Sequence, residues 1–227
     1  MKIGILQTGR APDALLVEHG DYDELFKQLL SNRGFEFVTY PVLDGVFPES
    51  SDECDGWLIT GSRFGVYEDH AWIEPLECFI RQTYDAAVPI IGVCFGHQIL
   101  AQALGGKVEK FDGGWSCGAV IYDDVNADRP SQTVMAWHQD QVVQLPPDAT
   151  VIGRTDFCAY AILSYGDRAL STQPHPEFSE TFFRALLAEK GHVLPEETLR
   201  QASESLEGSR GENRLADMFE RFFKRSR

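Results

Sequence analysis

The residues that could do covalent chemistry centre on Cys94, which lies in the run Gly92-Val93-Cys94-Phe95-Gly96. An apolar run over residues 89–93 predicts a strand, and residues 98–104 have a helical pattern. A tight strand-to-helix turn exposes the side chain at its apex, as in a nucleophile elbow. The positive end of the following helix stabilises a thiolate, the form of cysteine that attacks carbonyl carbon. The pattern therefore favours a nucleophile over the alternative, a buried structural cysteine.

A cysteine nucleophile needs a base, and one of the six histidines has the context of such a base. His175 lies between Pro174 and Pro176 after an apolar strand pattern, and the two proline rings restrict where its imidazole points. Glu177 is close enough in sequence to accept a hydrogen bond from the far ring nitrogen. A loop histidine alone is more often a solvated polar residue, and Pro-x-Pro is more often a rigid turn. The coincidence with Cys94 favours a catalytic triad of Cys94, His175 and Glu177.

Alternating strand and helix patterns predict the scaffold that positions these residues. Strands are expected at residues 2–7, 35–40, 55–60 and 89–93, and helices at 22–32, 72–86, 98–104 and 179–190. Between residues 107 and 172, short strand patterns separated by turns indicate an antiparallel part. We expect an α/β, three-layer, flavodoxin-like fold, with an open, mostly parallel sheet, helices on both faces and a small antiparallel extension.

The same patterns predict the domain organisation. Residues 1–190 are expected to form one domain of this class. Residues 191–227 are more highly charged and have amphipathic patterns at 196–206 and 214–224. They are expected to form a C-terminal helical appendage packed on the same domain.

Composition excludes several classes of partner. The net charge of −15 argues against a nucleic-acid or anionic-membrane surface. The N-terminal apolar run is too short for a signal peptide, and no stretch has the length of a membrane span. The five cysteines are scattered, which indicates neither a disulfide framework nor a zinc site. We therefore expect a cytoplasmic protein without a metal. A phosphate-binding glycine loop is also absent from the sequence, so no ATP site or other cofactor is expected.

The run from Gly92 to Gln98, together with the run from Gln173 to Glu177, resembles the motifs of class I glutamine amidotransferases. This resemblance covers roughly residues 2–188. It implies hydrolysis of the side-chain amide of glutamine through a γ-glutamyl thioester on Cys94, which releases ammonia and glutamate. His175 would be the general acid and base, and Glu177 would orient it.

The resemblance also implies further site residues. The backbone amides of Gly61 and Phe95 would form the oxyanion hole, in which each donor is worth about 3–4 kcal/mol. Gln98 matches the family's glutamine-binding position. His138 matches a stretch that lines the α-amino-acid end of the substrate, although a partly exposed histidine at a strand end is an equal alternative.

One loop departs from the family pattern and leaves the substrate open. Many members have a Gly-Gly-Pro-type loop after the third strand, whereas residues 60–69 here are bulkier and charged. This loop resembles the stand-alone branch of the family, which includes γ-glutamyl peptidases. The candidate functions are a glutaminase that supplies ammonia to a synthetase partner, and an autonomous hydrolase of γ-glutamyl compounds. A non-catalytic binding protein and a cysteine protease of the same fold fit the motifs less well.

Overall fold

A nine-stranded sheet forms the centre of the computed structural model, which describes residues 1–125, 130–207 and 214–225. Along the chain the strands are β1 (Lys2–Leu6), β2 (Glu36–Tyr40), β3 (Gly56–Ile59), β4 (Ile90–Val93), β5 (Lys107–Lys110), β6 (Ser116–Asp124), β7 (Gln132–His138), β8 (Asp140–Gln144), β9 (Thr150–Arg154), β10 (Ile162–Tyr165) and β11 (Ala169–Thr172). The helices are α1 (Asp13–His19), α2 (Tyr22–Leu29), α3 (Ile73–Asp85), α4 (Phe95–Ala103), α5 (Glu180–Lys190), α6 (Glu196–Ser205) and α7 (Arg214–Phe223). Two short 3₁₀ turns lie at Val42–Asp44 and Gly191–Val193.

The sheet has a parallel part and an antiparallel part. Its strand order is β2-β1-β3-β4-β11-β10-β9-β6-β7, and β5 pairs with β8 in a separate ladder. The first five strands run parallel, and β10, β9, β6 and β7 continue the sheet through antiparallel pairs. The order of the parallel part is that of a doubly wound, flavodoxin-like sheet. The predicted fold class is therefore confirmed.

The inner parallel strands β1, β3, β4 and β11 are buried on both faces because helices cover each face, whereas the edge strand β2 is mostly half-buried. In β3, Trp57 and Ile59 point to the face covered by α3 and α4, whereas Leu58 points to the face covered by α2 and α7. A third apolar cluster joins α1, α2, α5 and α6. The consecutive apolar residues of β1, β3 and β4 are thus explained by two-sided burial.

Three candidate site residues follow parallel strands at the same edge of the sheet. Gly61 follows β3, Cys94 follows β4 and His175 follows β11. Because β4 is hydrogen-bonded to both β3 and β11, the ends of these strands are neighbours. The carboxyl edge of such a sheet is where ligands bind.

Several element boundaries differ from the sequence-based expectation. The helix expected at 98–104 begins three residues earlier, at Phe95, because the chain enters it directly from the elbow. Helix α1 and strands β5 and β8 were not expected. Strand β11 was expected in the antiparallel part, but it pairs in parallel with β4, and all four of its residues are buried, as is typical of a central parallel strand. Strand β5 has a single buried residue and β8 has two, so neither sequence alternates clearly between apolar and polar positions.

The C-terminal helices contact the sheet. Helix α6 lies against β6, where the Ala119 amide donates a hydrogen bond to Ser205 Oγ at 2.9 Å. Gly118 has a φ of +113°, and a Cβ there would lie 2.5 Å from Ser205 Oγ, so glycine is needed at this approach. Helix α7 buries Phe219 in the core. From these contacts we propose that residues 1–190 form one domain and that the described part of the expected appendage 191–227 packs on it; residues 208–213 and 226–227 lie outside the described residues. None of the helices in the described ranges has the length and apolar character needed to cross a bilayer.

Candidate active site

Cys94 lies at the turn between β4 and α4 in a conformation that non-glycine residues rarely adopt. Its φ is +52° and its ψ is −103°, and it occupies the N-cap position of α4. Such a backbone costs of order 1–3 kcal/mol and persists only where the surrounding structure enforces it. The Cys94 amide donates to the Thr172 carbonyl oxygen at 2.8 Å, which ties the turn to β11. This is the geometry of a nucleophile elbow.

The two flanking glycines are required by close backbone contacts. A Cβ on Gly92 would lie 2.3 Å from the Gly96 carbonyl oxygen. A Cβ on Gly96 would lie 2.4 Å from the carbonyl oxygen of Ile59 in β3. Because backbone cannot move aside as a flexible side chain can, any larger residue would displace the turn. The Gly-x-Cys-x-Gly pattern thus has a steric cause.

His175 is held by backbone hydrogen bonds and by Glu177. Its amide donates to the Met135 carbonyl oxygen at 2.8 Å, which joins this loop to β7. The hydroxyl of Thr172 donates to the Pro174 carbonyl oxygen at 2.7 Å. His175 Nδ1 lies 2.7 Å from Glu177 Oε1, and the two side chains are 6% and 1% exposed. Since a carboxylate only accepts, Nδ1 carries the proton and Nε2 faces away from Glu177.

Phe178 fixes the plane of the imidazole. Its ring is stacked on that of His175, with centroids 4.1 Å apart and an angle of 3° between the planes. The ring of Phe178 also packs against that of Phe182 of α5, with centroids 4.7 Å apart. The hydrogen bond to Glu177 and this stack together restrict the rotation of the His175 ring.

The electrostatic environment favours the charged form of His175. Burial alone would lower the pKa of His175, but the negative charges of Cys94 and Glu177 raise it to about 10. Two other buried histidines behave in the opposite way. Burial lowers the pKa of both His97 and His138 to about 3, so these rings are neutral.

The candidate oxyanion donors lie beside this pair. A Cβ on Gly61 would lie 3.0 Å from His175 Cε1 and 3.7 Å from Cys94 Cβ, so Gly61 borders both residues. The amide of Phe95 is the first of α4 and has no carbonyl acceptor within the helix. Within the described residues, neither amide donates a hydrogen bond to another protein group. Both are therefore available to a negatively charged oxygen.

A buried pair of threonines holds Gly61 in place. The Thr8 amide donates to Thr60 Oγ1 at 3.0 Å, and the Thr8 hydroxyl donates to the Thr60 carbonyl oxygen at 2.9 Å. Thr8 Oγ1 also lies 3.2 Å from the Gly61 carbonyl oxygen. These bonds join the loops that follow β1 and β3, and they fix the backbone that presents the Gly61 amide.

Gln98 and His138 lie together on the α4 side of Cys94. Gln98 Nε2 donates to the Asp140 carbonyl oxygen at 2.9 Å and to Gln173 Oε1 at 3.1 Å. His138 Nδ1 is 3.3 Å from the same Asp140 oxygen, and His138 is only 3% exposed. The alternative of a partly exposed His138 is therefore wrong. Its role toward a substrate stays a prediction.

These residues line a cleft of about 820 Å³. Its walls include Cys94, His175, Glu177, Gly61, Gln98 and His138. The loop after β3 closes one side, where the Tyr67 hydroxyl donates to Asp140 Oδ2 at 3.0 Å. Among the described residues, no cluster of three or more histidine, cysteine or acidic side chains is arranged to hold a metal ion.

Sequence reasoning missed several residues of this region. Thr8 and Thr60 follow strands β1 and β3, and their position at the carboxyl ends of neighbouring strands was a usable signal. Phe178 is three residues beyond His175, but the stack depends on how the chain turns between them. Tyr22 and Trp115 reach the cleft from distant segments, and nothing local marks either of them.

Comparison with known proteins identifies the family. A family model for class-I glutamine amidotransferases matches residues 15–193 of the chain. The chain belongs to this family. The predicted resemblance is therefore confirmed, and the matched range contains all seven predicted site residues.

Relatives within the family have different described activities. Gamma-glutamyl peptidase 2 of Arabidopsis thaliana is 30% identical over 211 residues, which cover 86% of this chain and 85% of the relative. One subunit of the glutamine-hydrolyzing GMP synthase of Halobacterium salinarum is 32% identical over 170 residues, which cover 72% of this chain and 87% of the relative. Both resemblances support a hydrolase of this family.

The fold of the chain is also found among solved structures of the family. The crystal structure of a glutamine amido transferase from Methylobacillus flagellatus has a TM-score of 0.74 to this chain, at 20% identity. The match covers 98% of this chain and 93% of that one. At this level of identity the likeness concerns the fold alone.

Proposed function

We propose that this protein hydrolyses γ-glutamyl amide bonds through a thioester on Cys94, and that it acts on γ-glutamyl compounds without a synthetase partner. One observation supports this chemistry above all. Cys94 lies at a strained turn beside His175, and His175 is hydrogen-bonded to Glu177. A buried carboxylate–imidazole pair next to a thiol is the arrangement that nucleophilic catalysis needs.

In the acylation step, the Cys94 thiolate attacks the γ-carbonyl carbon of the substrate. A C–S bond forms, and the carbonyl π electrons move to oxygen, where the amides of Gly61 and Phe95 donate hydrogen bonds to the oxyanion. The imidazolium of His175 then gives its Nε2 proton to the departing nitrogen. The C–N bond breaks, the amine leaves, and the γ-glutamyl group remains as a thioester.

Deacylation follows the same path with water in place of the amine. Neutral His175 accepts a proton from water while the water oxygen attacks the thioester carbon. The C–S bond breaks and glutamate leaves, which restores the Cys94 thiolate and the His175 imidazolium. Glu177 keeps the proton on Nδ1 in both steps, so that Nε2 is the nitrogen that exchanges protons.

Two observations support action on γ-glutamyl compounds larger than glutamine. The cleft of about 820 Å³ is near the upper end of the roughly 300–1,000 Å³ that holds drug-sized ligands, well beyond the needs of one amino acid. Several relatives at about 30% identity are described as gamma-glutamyl peptidases. A partner-dependent glutaminase is the second candidate, because the GMP synthase relative from Halobacterium salinarum is equally similar.

The test is glutamate release by the purified chain, with glutamine and with γ-glutamyl dipeptides, against a Cys94→Ser variant as control. Turnover of a γ-glutamyl dipeptide that depends on Cys94 and exceeds turnover of glutamine is the expected result. No Cys94-dependent release from any of these compounds would contradict autonomous hydrolysis. If iodoacetamide still alkylated Cys94 in that case, the partner-dependent glutaminase would be favoured.

A further inference from the structure

One wall of the cleft is built from aromatic side chains that belong to no step of the proposed chemistry. We call Tyr22, Trp115, Trp137 and Phe178 the aromatic wall, and all four line the cleft. Phe178 is buried in the apolar cluster that joins α1, α2, α5 and α6, and the other three are half-buried against that cluster. The core thus holds these rings in place from behind, while part of their apolar surface remains at the cleft.

The aromatic wall lies on the His175 side of the nucleophile. Phe178 is stacked on His175, and the ring of Tyr22 is 6.1 Å from that of Phe178. The phenol of Tyr22 also interacts electrostatically with Cys94 and Glu177. After burial, the charges of Cys94 and Glu177 are the largest causes that raise the pKa of its phenol well above the ordinary value. Trp137 contributes its carbonyl oxygen, which lies 4.0 Å from Cys94 Sγ.

Another part of the cleft lining is polar and charged. Gln98 lies there, bonded to the Asp140 backbone, and Tyr67 is bonded to the Asp140 carboxylate. Lys110 is opposite Asp140 in the β5–β8 ladder, and its positive charge acts on the Asp140 carboxyl group. Neighbouring positive and negative side chains suit an α-amino acid, which carries one charge of each sign.

The stereochemistry of the proposed acyl transfer indicates which part of the cleft holds the leaving group and which holds the γ-glutamyl group. The oxyanion must face the Gly61 and Phe95 amides, and the leaving nitrogen must face the proton donor, His175. The remaining substituent of the carbonyl carbon, the γ-glutamyl group, is then directed away from His175, toward Gln98. The leaving group is directed over the aromatic wall.

We infer that the aromatic wall is a leaving-group subsite, and that the protein favours γ-glutamyl compounds whose departing amine carries an aromatic or other bulky apolar substituent. Partly exposed aromatic rings on a rigid support offer such a substituent a large contact area at small entropic cost. Ammonia, the leaving group from glutamine, would contact none of this surface. The inference rests on the proposed function and adds to it the residues that set specificity.

The test compares γ-glutamylphenylalanine with γ-glutamylglycine, which share the acyl group and the terminal carboxylate. The ratio of their kcat/KM values, measured by glutamate release, is expected to be about tenfold or more in the wild type. Trp115→Ala is expected to bring the ratio to within about twofold of one, whereas Trp115→Phe keeps most of it. Phe35→Ala is the matched control, because Phe35 is also half-buried but packs against Phe223, away from the cleft.

Two results would overturn the inference: a wild-type ratio near one, or a ratio that Trp115→Ala leaves unchanged. If neither compound is hydrolysed, the proposed function fails, and binding decides the inference separately. In that case the affinities of both compounds for a Cys94→Ala protein are measured by calorimetry. Tighter binding of the phenylalanine compound, lost in Cys94→Ala with Trp115→Ala, supports the subsite. Equal affinities contradict it.

Discussion

The surroundings of His175 and of His138 differ in one respect that decides their chemistry. Both rings are almost completely buried, and both lie along the same cleft. Among the described residues, the one hydrogen-bond acceptor of His138 is a backbone carbonyl, and burial lowers the pKa of His138 to about 3. His175 has the negative charges of Cys94 and Glu177 beside it, and these raise its pKa to about 10 despite burial. Burial thus makes a neutral histidine by default, and only nearby anions make a buried proton donor.

The largest effect is expected when Cys94, the proposed nucleophile beside His175, is replaced. Cys94→Ala is expected to reduce glutamate release from γ-glutamyl substrates by at least about 10³-fold, because the covalent step is lost. It should also lower the pKa of His175, since one of the two anionic neighbours is gone, and leave His138 neutral. Imidazole NMR signals followed against pH measure both residues. Residual activity near that of the wild type would contradict the assignment of Cys94.

A substitution at Gly61 perturbs His175 by contact and not by charge. The Cβ of Gly61→Ala would lie 3.0 Å from His175 Cε1, so the ring must shift by some tenths of an ångström. We expect kcat to fall by roughly 10²-fold, with a small change in KM, because misplacement of a catalytic group affects the chemical step most. Thermal unfolding provides the control for stability. An unchanged kcat would mean that the ring of His175 has more freedom than its contacts suggest.

Replacement of Glu177 removes the other anion while keeping the shape of the side chain. Glu177→Gln is expected to lower the pKa of His175 and to reduce kcat by about 10- to 100-fold, because the imidazolium loses its partner and its fixed tautomer. The measurement is the pH profile of kcat. Glu177→Asp, which keeps the charge, should recover part of the activity. A variant with full activity and an unchanged profile would assign Glu177 a structural role alone.

The smallest effect concerns stability, and its sign differs between the two histidines. His175 has a raised pKa in the folded state, so its stabilising contribution is present below pH 6.5 and is lost as the pH rises toward about 10. His138 has a lowered pKa, so its unfolded state gains a proton as the pH falls from 6.5 toward about 3, which favours unfolding. Denaturant unfolding of His175→Gln and His138→Asn across this range measures both slopes. His175→Gln should reduce the pH dependence of the unfolding free energy only above pH 6.5, and His138→Asn only below pH 6.5.

The sequence predicts candidate site residues where the signal is local. Cys94 lies in a short run with two glycines, and His175 and Glu177 lie in one short run with two prolines. Each motif can therefore be recognised from neighbouring residues alone. The parallel strands β1, β3 and β4 were also predictable, since two-sided burial requires consecutive apolar residues. The parallel pairing of β11 was not predicted, because residues 107–172 were expected to be antiparallel. The predicted family and the predicted fold class are both confirmed.

Other features depend on contacts between distant segments and had no such signal. The bonds between Thr8 and Thr60 span 52 residues, and Trp115 reaches the cleft from a glycine-containing loop. Strands β5 and β8 stabilise each other without a clear alternation in either sequence. Propensity and periodicity describe single elements, so they predict neither the wall of a cleft nor the bond that aligns two loops.

The positive φ of Cys94 has a consequence for how this protein could evolve. A glycine at position 94 would relax the backbone there, and the chain, which would be inactive under the proposed function, would gain folding stability from that relaxation. Selection for stability alone would therefore tend to eliminate this cysteine. Under the proposed function, a lineage that keeps a cysteine in this conformation, between glycines that tolerate no larger residue, is under continuing selection for the proposed reaction.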